Sequence, residues 1–177
     1  DSFTDPQIIL MADESAISNL DVRGIAGTVN GIVADGSVGA NTFSVLVDRV
    51  RVSNCYKGLS LSYLIAAQVL DSEFRSNVSS GIYAGSGLTD SIISRCFFPA
   101  NGIGLNIGAS TSSGVIKVQL KDSTFEWNTN YGIKSMGSSM IYSVGNTFDR
   151  NGMEGIYFDT VTKSVVVANV FRRNSAT

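Results

Sequence analysis

The fourteen residues from Lys121 to Lys134, KDSTFEWNTNYGIK, have close copies elsewhere in the chain. Val144–Tyr157 repeats the skeleton: a Phe, an Asn three residues on, and Gly-Ile four after that. Leu70–Tyr83 carries it again, and Val167–Asn174 begins a further copy. Aligned on the aromatic position, the series is Val52, Phe74, Phe98, Phe125, Phe148 and Phe171, with steps of 22, 24, 27, 23 and 23 residues. Self-similarity at a fixed period in the twenties is the mark of a solenoid, in which each unit buries its apolar face only by stacking on its neighbours.

Each repeat holds three short apolar stretches. One surrounds the Phe. A second opens at Gly58, Gly81, Gly104, Gly132 or Gly155. A third precedes the next Phe, at 67–70, 91–93, 116–120, 140–144 and 164–167. Three strands in a turn of about 23 residues predict an all-β fold, a right-handed single-stranded parallel β-helix of about six to seven rungs. The chain is expected to form one domain over residues 1–177, with 1–45 as an irregular first turn and 46–177 as regular rungs. In that reading 34–41 is a loop before a strand at 43–47, and the longest step contains an inserted small-residue loop at 108–114.

Alternation within a strand assigns faces. The Phe column and the residues two before it (Val50, Ser72, Cys96, Ser123, Asn146 and Asn169) point inward, as do Leu59, Ile82, Leu105, Ile133 and Ile156. Phe98 is preferred to Phe97 because it keeps Asn101 in line with Asn77, Asn128, Asn151 and Asn174. That Asn column has a structural rationale, since stacked side-chain amides can bond from rung to rung and Asn tolerates a left-handed backbone. Asn77-Val-Ser79 is formally a glycosylation sequon, but its Asn belongs to the ladder.

Composition narrows the function. Charged residues are only 16% of the chain, the net charge is −2 and no basic block occurs, so a nucleic-acid partner has no electrostatic support. No apolar run reaches the roughly 18–20 residues of a membrane span, and membrane insertion is not expected. With no His, a Ser-His-Asp triad cannot be assembled and a zinc site lacks ligands. Clustered Asp suited to calcium is not evident, so no metal and no cofactor is expected. Cys55 and Cys96 fall in non-adjacent repeats and read as buried free thiols. The sequence starts at Asp and stops within a repeat, which suggests an excerpt or processed piece of a longer protein.

The pattern Asp-Ser-x-Phe-x-x-Asn-x-x-x-Gly-Ile, at 71–82 and 122–133, resembles the turns of pectate-lyase-like β-helix proteins. Together with the opening Ser15–Val22, it most resembles the helix body of bacteriophage tailspike depolymerases. That resemblance implies a homotrimer on the virion tail that binds, and often cleaves, a bacterial surface polysaccharide such as capsule or O-antigen. A secreted or cell-surface bacterial protein is the alternative location. Tailspikes share no catalytic motif to carry over, so candidates come from the outward columns.

Two carboxylates are the usual equipment for glycoside hydrolysis, about 5 Å apart for retention and about 6.5–9.5 Å for inversion. Glu126 and Asp149 occupy one column on adjacent rungs, about 4.8 Å apart along the backbone. Like charges so close favour one protonated carboxyl, as a general acid requires, and make this pair the first catalytic candidate. The competing reading is a solvated corner pair neutralised by Arg150. Asp122, Asp71 and Glu73 form the reserve set. In the column Arg49–Asp71–Arg95–Asp122, Arg95 could hold a sugar, although alternating charge also reads as a surface ion-pair ladder. Trp127, Tyr131, Arg150 and Tyr157 complete the substrate-binding candidates, because exposed aromatic faces suit sugar rings. Tyr83 shares the Tyr157 column with Asn106 and Lys134. Packing against neighbouring subunits is the other use for these aromatics. A polysaccharide lyase with Lys134, Tyr157 or Arg150 as base, and a non-catalytic adhesin, are the rival functions.

Overall fold

The computed structural model describes residues 7–10, 14–25, 28–36, 44–108 and 116–175. Three seven-stranded parallel sheets wind around one core. The first sheet contains Ile8–Leu10, Ile32–Asp35, Lys57–Ser62, Ser80–Ala84, Ile103–Ile107, Ile133–Met136 and Ile156–Asp159. The second contains Ser15–Ser18, Val45–Asp48, Gln68–Leu70, Thr89–Ser94, Ile116–Lys121, Ser139–Val144 and Val165–Val167. The third contains Asp21–Arg23, Arg51–Ser53, Glu73–Arg75, Phe97–Pro99, Thr124–Glu126, Thr147–Asp149 and Val170–Arg172. Every strand pairs with the strand three elements away, so the described residues form a parallel β-helix of seven rungs with three strands in each.

The inward columns follow the repeat. Phe98 pairs with Phe125, and Phe125 with Phe148, while Phe97 faces outward beside Glu73. The rings of Phe74, Phe98, Phe125, Phe148 and Phe171 stack with centroids 4.4–5.6 Å apart, and the first four are fully buried. The repeated glycine allows this stack. A Cβ on Gly81 would lie 2.7 Å from the Gly104 carbonyl and 2.9 Å from the Phe98 ring. Both thiols are free and buried, and burial pushes the Cys96 thiol up to about 12.

The Asn ladder forms as expected. The side-chain amide of Asn77 donates to Asn101 Oδ1 at 3.0 Å, Asn101 to Asn128 at 3.2 Å, and Asn128 to Asn151 and Asn151 to Asn174 at 2.8 Å each. Asn77 is thereby sealed inside the helix. A second ladder runs through Ser72, Ser123, Asn146 and Asn169, whose side-chain oxygens accept backbone N–H groups of the preceding rung.

Two expectations need correction. The left-handed residue at the corner is not the Asn but the one before it: Asn54, Ser76, Ala100, Trp127, Arg150 and Arg173 have φ of 49–57°. The Asn stays outside that region so that its amide can enter the ladder, and the preceding N–H donates to the next rung, as from Trp127 to the Asp149 carbonyl. The segment 1–45 is also more regular than expected among its described residues. Ile8–Leu10 pairs with residues 32–34, Ser15–Ser18 with Val45–Asp48, and Asp21–Arg23 with Arg51–Ser53. Ala34 lies in a strand rather than a loop, and the next strand starts at Val45. Phe43 and most of the loops expected at 34–41 and 108–114 lie outside the described residues.

Candidate functional site

Because the interior repeats, chemistry is left to the outward columns of the third sheet and to the left-handed corners flanking it. One corner precedes each third-sheet strand and carries Asn19, Arg49, Asp71, Arg95, Asp122, Gly145 and Ala168. The other follows it and carries Asn54, Ser76, Ala100, Trp127, Arg150 and Arg173. A left-handed backbone at a non-glycine residue costs about 1–2 kcal/mol. Here the parallel hydrogen bonds on either side impose it, so these side chains leave the surface in fixed directions.

Glu126 and Asp149 are in register on adjacent rungs, as their spacing implied. Their surroundings differ. Asp149 is only 8% exposed, and both its oxygens accept from Arg173, Nε to Oδ1 at 3.0 Å and Nη2 to Oδ2 at 2.6 Å. Arg150 adds a longer contact at 3.8 Å. The repulsion that was to distinguish the two carboxyls is therefore relieved from the Asp149 side. Glu126 is half-buried and has no ion-pair partner among the described residues.

Trp127 is 55% exposed at its corner, and the Arg150 guanidinium lies over its ring, 4.6 Å from the centroid. The aromatic face, a cation and the Glu126 carboxylate are thus gathered on one edge. Arg173 was missed in the sequence. It stands immediately before Asn174, as Trp127 and Arg150 stand before Asn128 and Asn151, so the alignment already placed all three in one column.

The remaining candidates separate into other groups. Arg95 grips Asp71 with two bonds of 2.7 Å, leaving Asp122 exposed and with no ion-pair partner among the described residues. The Arg95 side chain holds the Asp71 carboxyl below its usual range, chiefly through this hydrogen bond. Glu73 bridges Arg51 at 2.8 Å and Arg75 at 3.3 Å. Tyr131 lies on the first-sheet side of the corner, its ring 5.1 Å from Tyr157 and 5.7 Å from the Lys134 ammonium. Tyr83 shares the outward column of Lys134 and Tyr157, with the Lys57 ammonium 3.7 Å above its ring.

The geometry defines a β-helical scaffold with an aromatic and charged edge, and comparison with known proteins supplies the class. The family described as "Right handed beta helix region" matches residues 7–171, and the chain belongs to it. No curated relative matches the sequence. Two solved structures share the fold. One is PfbA, a surface adhesin of Streptococcus pneumoniae, at 12% identity and a TM-score of 0.59, covering 94% of this chain and 55% of that one. The other is the enzymatically active domain of bacteriophage CBA120 tailspike protein 2, at 14% identity and a TM-score of 0.53, covering 96% and 33%. The chain therefore spans about half of one and a third of the other, and at these identities the likeness is one of fold.

Proposed function

We propose that this β-helix binds a bacterial surface polysaccharide on the outside of a cell or at a virion tail, with the Trp127 corner as its sugar platform. The observation that carries the reading is the exposed indole, held by a left-handed backbone and capped by Arg150. A flat apolar face with polar groups at its rim stacks on a sugar ring and bonds its hydroxyls. Both fold relatives, a surface adhesin and a tailspike domain, are compatible with such a location, and a homotrimer belongs to the tailspike form of the proposal.

Trp127 is the only tryptophan, so its fluorescence reports on the platform directly. Titration with a panel of capsular and O-antigen polysaccharides is expected to give a saturable change for at least one. A panel that leaves the emission unmoved, with calorimetry also silent, removes the reading.

One observation favours hydrolysis as a second reading. Glu126 is free of ion pairs among the described residues and in register with a clasped carboxylate, an asymmetry suited to an acid working beside an orienting Asp149. New reducing ends from a bound polysaccharide, lost in Glu126→Gln while binding persists, would establish it. Binding without cleavage would leave an adhesin, and unsaturated products would indicate a lyase. Cleavage fully retained in Glu126→Gln would move the chemistry elsewhere.

A further inference from the structure

Three rungs before the Trp127 platform, on the same side of the third sheet, the outward column reads Arg23, Ser53, Arg75. Ser53 is small and buried, so its position forms a notch between two arginines, one on the rung before and one on the rung after. Arg51, from the neighbouring outward column, closes one side, and the corner residues Asn54 and Ser76 close the other. The notch is open to solvent with a volume of about 350 Å³, and among the described residues no carboxylate lines it.

The acids nearby act from outside the notch and hold the guanidiniums in place. Asp21 takes the Nε and Nη2 of Arg23 on a single oxygen. Glu73 takes Arg51 Nε on one oxygen and Arg75 Nη1 on the other. Among the described residues these are three guanidiniums held by two carboxylates, so the cluster keeps an excess positive charge and donors to spare at the notch. Converging guanidinium donors of fixed orientation form a fork that suits carboxylate, phosphate or sulfate oxygens.

We infer that this notch binds an anionic substituent of the polysaccharide whose sugar ring rests on Trp127. The inference depends on the proposed function only for the carrier of the anion. Ser53 and Glu126 are three rungs apart in one column, about 14 Å at the rung spacing of parallel strands. The rung between Arg75 and Glu126 carries the buried Pro99 and the exposed Ala100, which are short and place no charge between the two sites. An extended glycan lying along this edge meets donors at one end and the indole at the other. The chain's net charge of −2 gives no general attraction for anions, so retention of an acidic glycan has to come from a local site such as this one.

The test uses the whole ¹⁵N-labelled chain and follows the arginine Nε–Hε resonances during titration with inorganic phosphate, inorganic sulfate and glucuronate. Saturable shifts at Arg23, Arg51 and Arg75, with Arg172 of the last rung unmoved, are expected, and the tightest of the three anions identifies the substituent. Shifts that do not saturate, or that are equal at Arg172, overturn the site. In the Trp127 fluorescence assay, Arg23→Gln/Arg75→Gln should weaken an acidic polysaccharide by roughly tenfold or more and leave a neutral one unchanged. Arg75→Gln alone, the milder change, should show the same selectivity if the double variant melts early. Anion shifts with no polysaccharide binding would sink the proposed function and spare the notch. Polysaccharide binding that is indifferent to both variants would do the reverse.

Discussion

The third sheet has two halves that share an interior and differ outside. From the strand at Arg51–Ser53 to that at Phe97–Pro99, arginines clasp the acids: Arg51 and Arg75 on Glu73, Arg95 on Asp71. From Thr124–Glu126 onward the pattern breaks. Asp149 is clasped, while Glu126 and Asp122 have no such partner among the described residues, and the corner carries Trp127 where the earlier rungs have Asn54, Ser76 and Ala100. Beneath both halves run the same Phe stack and the same Asn ladder. The interior must repeat because each residue packs on its own counterpart. The exterior is released from that constraint, and function can be placed at one height along the solenoid.

The largest effect should come from what the halves share. Phe98→Ala and Phe125→Ala each remove a fully buried ring flanked by two others, and each should cost about 3–5 kcal/mol in denaturant unfolding. Similar losses in the two variants would support a uniform core. A difference of several kcal/mol would mean that one half is held by something other than its stack. Next in size is Asn128→Ala, which deprives the Asn101 amide groups of an acceptor and the Phe98 carbonyl and Asn151 of a donor. Leaving buried polar groups unsatisfied costs about 1–3 kcal/mol. A melting temperature matching the wild type would show that the ladder is dispensable.

Much of this molecule is legible in its sequence because a solenoid writes its fold periodically. The choice of Phe98 over Phe97, the Asn column and the inward Ser and Asn residues follow from alignment alone. The corner was harder to read. Left-handed geometry falls on Ser76, Ala100, Trp127, Arg150 and Arg173, residue types with no common preference for it, because parallel hydrogen bonding imposes the conformation. The ion pairs were half legible. The alternating column marked Asp71 with Arg95, but Arg173 reaches Asp149 diagonally, from the corner column of one rung to the strand column of the rung before. A reading by columns compares like positions and overlooks diagonals. Trp127 was easier to place, since a lone Trp at a corner has no part in the stack, and it is exposed there.

Trp127→Ala should separate the halves by function. The side chain is largely outside the core, so unfolding free energy should shift by less than about 1 kcal/mol, the loss falling on its contact with Arg150. Affinity for the bound polysaccharide, measured by calorimetry, should fall roughly ten- to a hundredfold, as expected for an aromatic anchor. Arg95→Gln, in the other half, should leave that affinity within about twofold. Equal losses in the two variants would place the glycan on the Asp71–Arg95 corner as much as on the indole and remove Trp127 from its central position.

The smallest effect distinguishes the halves by pH. Arg95 holds the Asp71 carboxyl below its ordinary value of 3.8, and Arg23 does the same for Asp21. A carboxyl with a depressed folded pKa binds its proton more readily in the unfolded chain. Its stabilising contribution is therefore complete above the unfolded value, near pH 4, and disappears as pH falls through the lower folded value. Both carboxyls are exposed, so the effect should be slight and should weaken further at about 1 M salt. Melting temperatures followed from pH 6 to pH 2 at low ionic strength should decline less steeply below pH 4 in Arg95→Gln than in the wild type, because the variant has already lost the Asp71 contribution. Profiles that remain parallel through that window would show that the Asp71–Arg95 pair is geometry without energetic consequence. The regular ion pairing of the earlier rungs would then be a means of placing charges on the surface, and the arginine notch would depend on its guanidinium positions alone.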